Sequence, residues 1–374
     1  MTAPLRVAVV TPRFPPEPGG VEQYAAWVAR TLRDAGHDVT VVCTDRSRRT
    51  RRTTYDGMPV IRLGTWFTLS NTPVNPLWWW RLPRLLDRLG IDVVSAHAPV
   101  PGLADIAAFR SPVPVVLTYH AGSLVKGGHP VDGMLRTYER RVLPRVFARC
   151  AELVAVSPVS LAHATGRAHL VPPGVDGSVF RPSDRPRERR VLYVGRVEQT
   201  SRWKGLHVLV ESLVRLRELV PDIELEIVGD GDDVDRLRRR AADMGVDDLL
   251  EWAGRVDHVD LPARYQRAGV TVLPSLTEAE SFGMALAESL ACGCPVVGSD
   301  VGGIPFVVRD GVDGRLVPPG DPVALAEALA AVLVAPPEVE TTRWDWSLRV
   351  EPTLDVIARA AGSGARRRTR EVAA

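Results

Sequence analysis

The sequence predicts an α/β fold of two doubly wound domains, and three observations predict it. Apolar runs such as Leu5–Val10 and Ile223–Val228 read as strands buried on both faces of a parallel sheet. Amphipathic helical stretches alternate with such runs in both halves of the chain. A proline-rich stretch, 172–189, reads as an interdomain linker, after which the alternation restarts; 374 residues suffice for two domains.

Leu5–Val10 opens the chain as a strand, followed by a Pro/Gly loop over Thr11–Val21. Glu22–Ala35 reads as an amphipathic helix stopped by Gly36, and His37–Cys43 as the next strand. Arg46–Thr53 reads as a basic loop and Met58–Leu63 as a strand. Pro76–Leu89 is a helix with Trp78, Trp79 and Trp80 among Arg81, Arg84 and Arg88. Those tryptophans suit either core packing or a helix resting on a membrane surface. Strands at Ile91–Ala96 and Val113–Tyr119 flank a helix at Gly102–Phe109. Asp132–Ala151 reads as one long basic helix, and Leu153–Ser157 and His169–Val171 as strands.

The expected domains are 1–180 and 181–346. In the second, strands at Arg190–Val194, Ile223–Val228, Leu249–Trp252, Val270–Leu273 and Pro295–Ser299 alternate with helices. The helices are Gly205–Leu219, Asp232–Met244, Leu261–Ala268, one from Phe282 or Gly283 to Gly293, and Asp321–Leu333. A last helix is expected over 347–363. The basic segment 364–374 is expected to be disordered.

Apolar content of 45% and charged content of 25% are ordinary for a soluble globular protein. The net charge of +2 is unevenly divided: residues 1–183 carry +9 and the remainder −7. A basic first half suits a phosphate-bearing acceptor or an anionic membrane surface; compositional drift is the other reading. Cys43, Cys150, Cys292 and Cys294 form no Cys-x-x-Cys pair, which disfavours zinc and fits a reducing compartment. No signal-peptide pattern opens the chain, and no apolar run approaches transmembrane length. The expectation is a cytoplasmic protein, peripheral at most on the inner face of the cell membrane, with no nucleic acid partner.

The stretch Pro274–Gly293 concentrates polar chemistry behind an apolar strand. Two acids, Glu280 and Glu288, bracket a helix start whose amides face outward at the positive end of the helix dipole. Such a place holds an anion, with a carboxylate on either side for hydroxyls. Arg196 and Lys204 follow the first strand of the second domain, where open α/β sheets bind ligands, and two cations there suit a diphosphate. Gly19 and Gly20 precede the first helix, as a close phosphate approach or as a simple turn; Gly-x-Gly-x-x-Gly is absent, which disfavours NAD. His120 and His97 end strands at the same sheet edge, and position alone does not separate their roles. Asp230-Gly-Asp232 reads as a turn without a third metal ligand, so no metal and no cofactor are expected.

Taken together and in order, these segments resemble glycosyltransferase family 4. The resemblance rests on the Gly-Gly loop, Thr118-Tyr-His120, Val194-Gly-Arg196, Lys204-Gly205, Val228-Gly-Asp-Gly231, Glu280-x7-Glu288 and Asp310-Gly-Val-Asp-Gly314. It implies a GT-B fold, two Rossmann-like domains facing across a cleft, with helix 347–363 packing back on the first. It implies a metal-independent, retaining transfer of a hexosyl group from a UDP- or GDP-linked sugar to a hydroxyl acceptor. The donor would bind the second domain and the acceptor the first; the +9 charge of the first half and the Trp-rich basic helix make a lipid-linked or cell-envelope glycan intermediate the expected acceptor. Arg196, Lys204 and Gly20, beside Gly19, would hold the diphosphate; Glu288 would bind the ribose and Glu280 the sugar. Ser281, Phe282, Gly283, Met284 and Ala285 would offer amides, Val256 would sit near the base, and His120 beside the transferred sugar. The alternatives are a nucleotide-sugar epimerase of the same fold and a non-catalytic sugar-nucleotide-binding protein. Phe306, Pro173 and Ser95 depart from the family's usual Glu, Asn and His.

Overall fold

The structure is a computed structural model that describes residues 3–17, 19–69, 72–125 and 131–372. The chain divides into two compact units, one of residues 1–172 with 349–374, the other Pro173–Leu348.

Among the described residues the first unit holds an eight-stranded sheet. Its strands are β1 (Arg6–Val10), β2 (Asp38–Asp45), β3 (Arg51–Tyr55) and β4 (Met58–Gly64). After a two-stranded hairpin, β5 (Phe67–Leu69) and β6 (Thr72–Val74), come β7 (Val93–Ala98), β8 (Val115–Tyr119), β9 (Glu152–Ala155) and β10 (Ala168–Leu170). The order is β10-β9-β8-β7-β1-β2-β4-β3, parallel except for the edge pair β3/β4. Its helices are α1 (Gly20–Asp34), α2 (Trp78–Arg88), α3 (Leu103–Arg110), α4 (Asp132–Arg141) and α5 (Leu143–Arg149). Central strands are buried on both faces, as their apolar runs require: Val7, Val9 and Val10 are inaccessible to solvent.

The second unit holds β11 (Arg190–Val194), β12 (Glu224–Val228), β13 (Leu250–Gly254), β14 (Val270–Leu273), β15 (Val296–Ser299) and β16 (Gly314–Val317). All pairs are parallel, in the order β13-β12-β11-β14-β15-β16. Numbered within the unit this is 3-2-1-4-5-6, the Rossmann order. Helices α6 (Leu206–Leu219), α7 (Val234–Asp243), α8 (Leu261–Arg267), α9 (Met284–Ala291), α10 (Ile304–Val307) and α11 (Pro322–Val334) accompany it. At the strands' amino ends an ion-pair cluster closes on itself. Glu226, fully buried, accepts from Arg190 (3.2 Å), Arg264 (2.5 Å) and Arg267 (2.7 Å).

The structure differs from the sequence expectation in several places, and strand β16 and helix α10 were not expected at all. Part of the expected loop Arg46–Thr53 is edge strand, because β3 pairs antiparallel with β4 through the Asp56–Gly57 turn. The hairpin β5/β6 was not expected; its strands are only three residues long. The expected helix Asp132–Ala151 is two helices, separated at Val142, with a proline in the first turn of the second. The unit boundary falls at Pro172–Pro173 rather than after 180, because Val175 and Phe180 are buried in the second unit's core with Tyr265 and Trp344. Helix α12 runs Ser347–Val372, beyond the expected end at 363 and through the segment expected to be disordered, whose alanines and arginines favour helix. From Arg349 onward it belongs with the first unit.

Candidate donor and acceptor half-sites

In each sheet the winding reverses at one strand pair, β11/β14 in the second unit and β1/β7 in the first. Crevices at the carboxyl ends of such pairs are where doubly wound sheets bind ligands.

In the second unit β11 leads to Gly195–Arg196, and β14 to Pro274–Ser275. Gly205 joins the two loops: its φ is +72°, and a Cβ there would lie 1.8 Å from the Pro274 carbonyl oxygen. That approach lets Leu276 N–H donate to the Trp203 carbonyl at 2.7 Å. It also brings Lys204 Nζ to 2.8 Å from Glu280 Oε2, with Ser275 Oγ 3.3 Å from the same oxygen. Both charged side chains are largely buried, at 16% and 12% exposure, so their charges are poorly screened. Lys204 also stands 4.7 Å from the Trp203 ring centroid.

The peptide after Glu280 is propped from below. Gly303 N–H donates to the Glu280 carbonyl at 2.7 Å, and a Cβ on Gly303 would fall 2.1 Å from the Ser281 oxygen. Gly283 then caps α9 in the left-handed region, at φ +96°. Helix geometry leaves the Met284 and Ala285 amides without intrahelical acceptors, at the positive end of α9. Phe282 offers only its backbone, since its ring is buried edge-on against Phe306 (6.3 Å) and Trp344 (5.0 Å). Phe306, one of the unusual residues, therefore has a packing role. Gly293 follows the helix with φ +74°, the C-terminal cap the sequence suggests.

Glu288 lies inside α9, and both its oxygens have protein partners. Tyr265 donates its hydroxyl to Oε2 at 2.8 Å, and His258 Nε2 lies 3.2 Å from Oε1. The Glu288 hydrogen bond and charge hold the His258 imidazolium above its ordinary range, against partial burial. Arg196 is half exposed, 3.6 Å from Glu198. Tyr193 is fully buried, its hydroxyl has no hydrogen-bond partner among the described residues, and burial raises its pKa; Glu280 and Arg196 are the charges acting on it. Val256 is half-buried against the core. Asp230 and Asp232 accept from the backbone N–H groups of Gly231 and Gln199, as the turn expected there requires.

In the first unit Gly19 caps α1 and Gly20 begins it; a Cβ on Gly20 would meet nothing within 4 Å among the described residues. Pro18 lies outside the described residues. His120 follows β8 and is buried, its Nε2 3.1 Å from Nδ1 of His97, which lies within β7. Burial pushes His97 down to about 3 and His120 well below its usual range, with His97 contributing to the second shift. Tyr24, on α1, makes T-shaped contacts with both rings.

Within each unit, the structure gathers most of the sequence candidates. Lys204 and Glu280 meet directly; Glu288 sits one helical segment beyond Glu280; Arg196 reaches the same strand ends. Tyr193, Ser275, His258 and Tyr265 were not among the candidates. Tyr265 and His258 reach Glu288 across 23 and 30 residues, and no local pattern marks such a contact.

Comparison with known proteins decides the family. Residues 18–179 match the family described as Glycosyltransferase Family 4, and residues 176–343 that described as Glycosyl transferases group 1. A phosphatidyl-myo-inositol mannosyltransferase of Mycolicibacterium smegmatis is 30% identical, over 96% of this chain and 95% of that protein. The chain belongs to glycosyltransferase family 4. A D-inositol 3-phosphate glycosyltransferase of Acidothermus cellulolyticus is 33% identical to this glycosyltransferase, over 94% of it and 90% of the relative. Among solved structures, sucrose-phosphate synthase from Thermosynechococcus elongatus superposes with a TM-score of 0.70 at 24% identity, covering 99% and 100% of the chains. Anabaena HepE with UDP-glucose gives 0.68 at 18%, covering 95% and 99%. The fold is GT-B.

Proposed function

We propose that this glycosyltransferase moves a hexosyl group, with retention and without a metal ion, from a UDP- or GDP-linked sugar to a hydroxyl acceptor. The observation that carries the reading is the buried Lys204–Glu280 pair (2.8 Å) beside the amino end of α9. Glycosyl transfer builds positive charge at the anomeric carbon and negative charge on the departing diphosphate. Lys204, Arg196 and the α9 amides stabilise the diphosphate, and the Gly20 backbone approaches it. Glu280 faces the sugar, where a carboxylate stabilises the anomeric charge and accepts from hydroxyls. Glu288 shares its remaining lone pairs with the ribose. Val256 flanks the base, and His120, held neutral, donates to or accepts from the transferred sugar without adding charge. Amides of Ser281 to Ala285 complete the donor cradle. As the anomeric C–O bond breaks, the acceptor oxygen takes its place, and its proton leaves on the diphosphate oxygen.

The acceptor in this reading is a lipid-linked or cell-envelope glycan intermediate, met on the inner face of the membrane. Trp78 is core, but Trp79 and Trp80 are exposed, as are Trp66, Phe67 and Leu69 on the hairpin just before α2. Arg81, Arg84 and Arg88 are exposed on the same helix, and Arg110 stands over the Trp79 ring. Aromatics interleaved with arginines suit an anionic lipid interface. No helix of the described residues is long and apolar enough to cross a membrane.

Two experiments test the proposal. Isothermal titration with UDP-glucose, UDP-N-acetylglucosamine and GDP-mannose in EDTA should show one donor binding and turning over; a strict metal requirement would refute metal independence. Co-sedimentation with phosphatidylglycerol vesicles should exceed that with phosphatidylcholine, and Trp79→Ala with Trp80→Ala should remove the difference. Equal pelleting by both lipids, or an unchanged double variant, would refute the membrane reading.

A further inference from the structure

The polar residues beneath His120 form a row inside an otherwise apolar layer. Ser95 and His97 lie two apart on β7, so both project to the same face of the sheet. Tyr24 of α1 covers that face, and its hydroxyl is anchored on the Val171 carbonyl at 3.1 Å. Ser95, Thr118, Tyr24 and Thr353 of α12 line a small cavity there. Ser95 is 2% exposed, His97 0% and His120 8%, so their polar atoms need partners within the protein.

The contacts run in one line. Ser95 Oγ lies 3.5 Å from His97 Nε2, and His97 Nδ1 lies 3.1 Å from His120 Nε2. Both imidazoles are held neutral by burial, so each carries one N–H. Two facing ring nitrogens bond only when one is protonated and the other is not. The tautomers of the two histidines are therefore linked, and the Ser95 hydroxyl, which can donate or accept, stands at the end of the line. With that hydroxyl as donor to His97 Nε2, His97 carries its proton on Nδ1 and donates to His120 Nε2. His120 is left with its proton on Nδ1.

We infer that the Ser95 hydroxyl is that donor, and that Ser95 and His97 are positioning residues that lock His120 as the neutral Nδ1–H tautomer. The inference rests on the reading of His120 as the residue beside the transferred sugar. Its chemical value there is specific. A neutral imidazole donates a hydrogen bond to a sugar oxygen without setting a cation beside the anomeric centre as that centre becomes positive.

Nitrogen-15 spectra of the full-length, histidine-labelled chain near pH 7 test it directly. The expected result is a protonated Nδ1 and an unprotonated Nε2 at His120. A protonated Nε2, or an imidazolium, overturns the inference. Ser95→Ala should give His120 a mixture of tautomers and lower turnover about tenfold, with the donor KM unchanged. His97→Leu should lower turnover about a hundredfold, and His97→Gln, which keeps a donor, should recover about tenfold of that loss. If all three variants keep the parent tautomer, Ser95 and His97 do not set it and the inference fails. Turnover is read as nucleoside diphosphate released from UDP-glucose or GDP-mannose, whichever is used. Should the tautomer respond as expected while His120→Ala turns over at the parent rate, the sugar-side reading of His120 falls and the linkage of the rings stands.

Discussion

The two units solve the same topological problem with opposite electrostatics. Each ends a reversal in its parallel sheet with a glycine-bearing loop and a helix start. In the second unit the residues gathered there are charged: Lys204 against Glu280, Glu288 against His258, and Arg196 half exposed. In the first they are neutral: His97 and His120 are buried deeply enough to lose any proton charge. A leaving diphosphate needs fixed cations, whereas a developing positive centre is served by a neutral dipole. On the proposed function, the contrast would give the diphosphate to the charged second unit and leave neutral dipoles to the first.

The largest effects should come from the charged half. Glu280→Ala should lower kcat/KM by about 10²–10³, the range for removing one preorganised electrostatic group. Binding of UDP or GDP alone should hold or tighten, because Lys204 loses its internal partner. Calorimetry with the free nucleotide reads this, and a collapse of nucleotide affinity would mean Glu280 does not act on the sugar. Next, Gly205→Ala should destabilise the second unit by about 3 kcal/mol, since a Cβ meets the Pro274 carbonyl at 1.8 Å and φ is +72°. Urea denaturation should show the loss in that unit's transition. A smaller change is expected in the neutral half. Tyr24→Phe removes one buried hydrogen bond to the Val171 carbonyl and should cost about 1 kcal/mol, read by the same denaturation in the first unit's transition.

Much of this was legible in the sequence because the fold writes itself locally. Parallel strands are apolar throughout, so β1, β11 and β14 stand out as runs, and the glycines between strand and helix mark the crevices. Lys204, Glu280 and Glu288 were legible for the same reason, each sitting beside such a loop. What stayed hidden depends on contacts made across the chain. Tyr265 and His258 converge on Glu288 only once α8 packs on α9. The ring pair His97–His120 needs the β7/β8 register, in which His97 lies opposite Thr118. Trp78, Trp79 and Trp80 read alike in sequence and divide between core and surface only when helix α2 has a side to bury. The break at Val142 was missed because a proline in a helix's first turn is compatible with helix on both sides.

The smallest effect is the one that separates stability from binding. Glu288 raises the His258 pKa, so the pairing stabilises the folded second unit fully below the unfolded value, about 6.5. That contribution is lost as pH rises through the higher folded pKa. His258 is 53% exposed, and solvent and salt screen the pair, which limits it to a few tenths of a kcal/mol. Donor affinity should move the other way. On the proposed function, a protonated His258 would compete with the ribose hydroxyls for Glu288 Oε1, so affinity for the nucleotide should rise about twofold to threefold between pH 6 and 8.5 as stability falls. His258→Gln should flatten both profiles, measured by thermal denaturation and by calorimetric titration across that range. Parallel movement of the two profiles would show that Glu288 does not meet the ribose, and the charged half of the comparison would then rest on Lys204 and Glu280 alone.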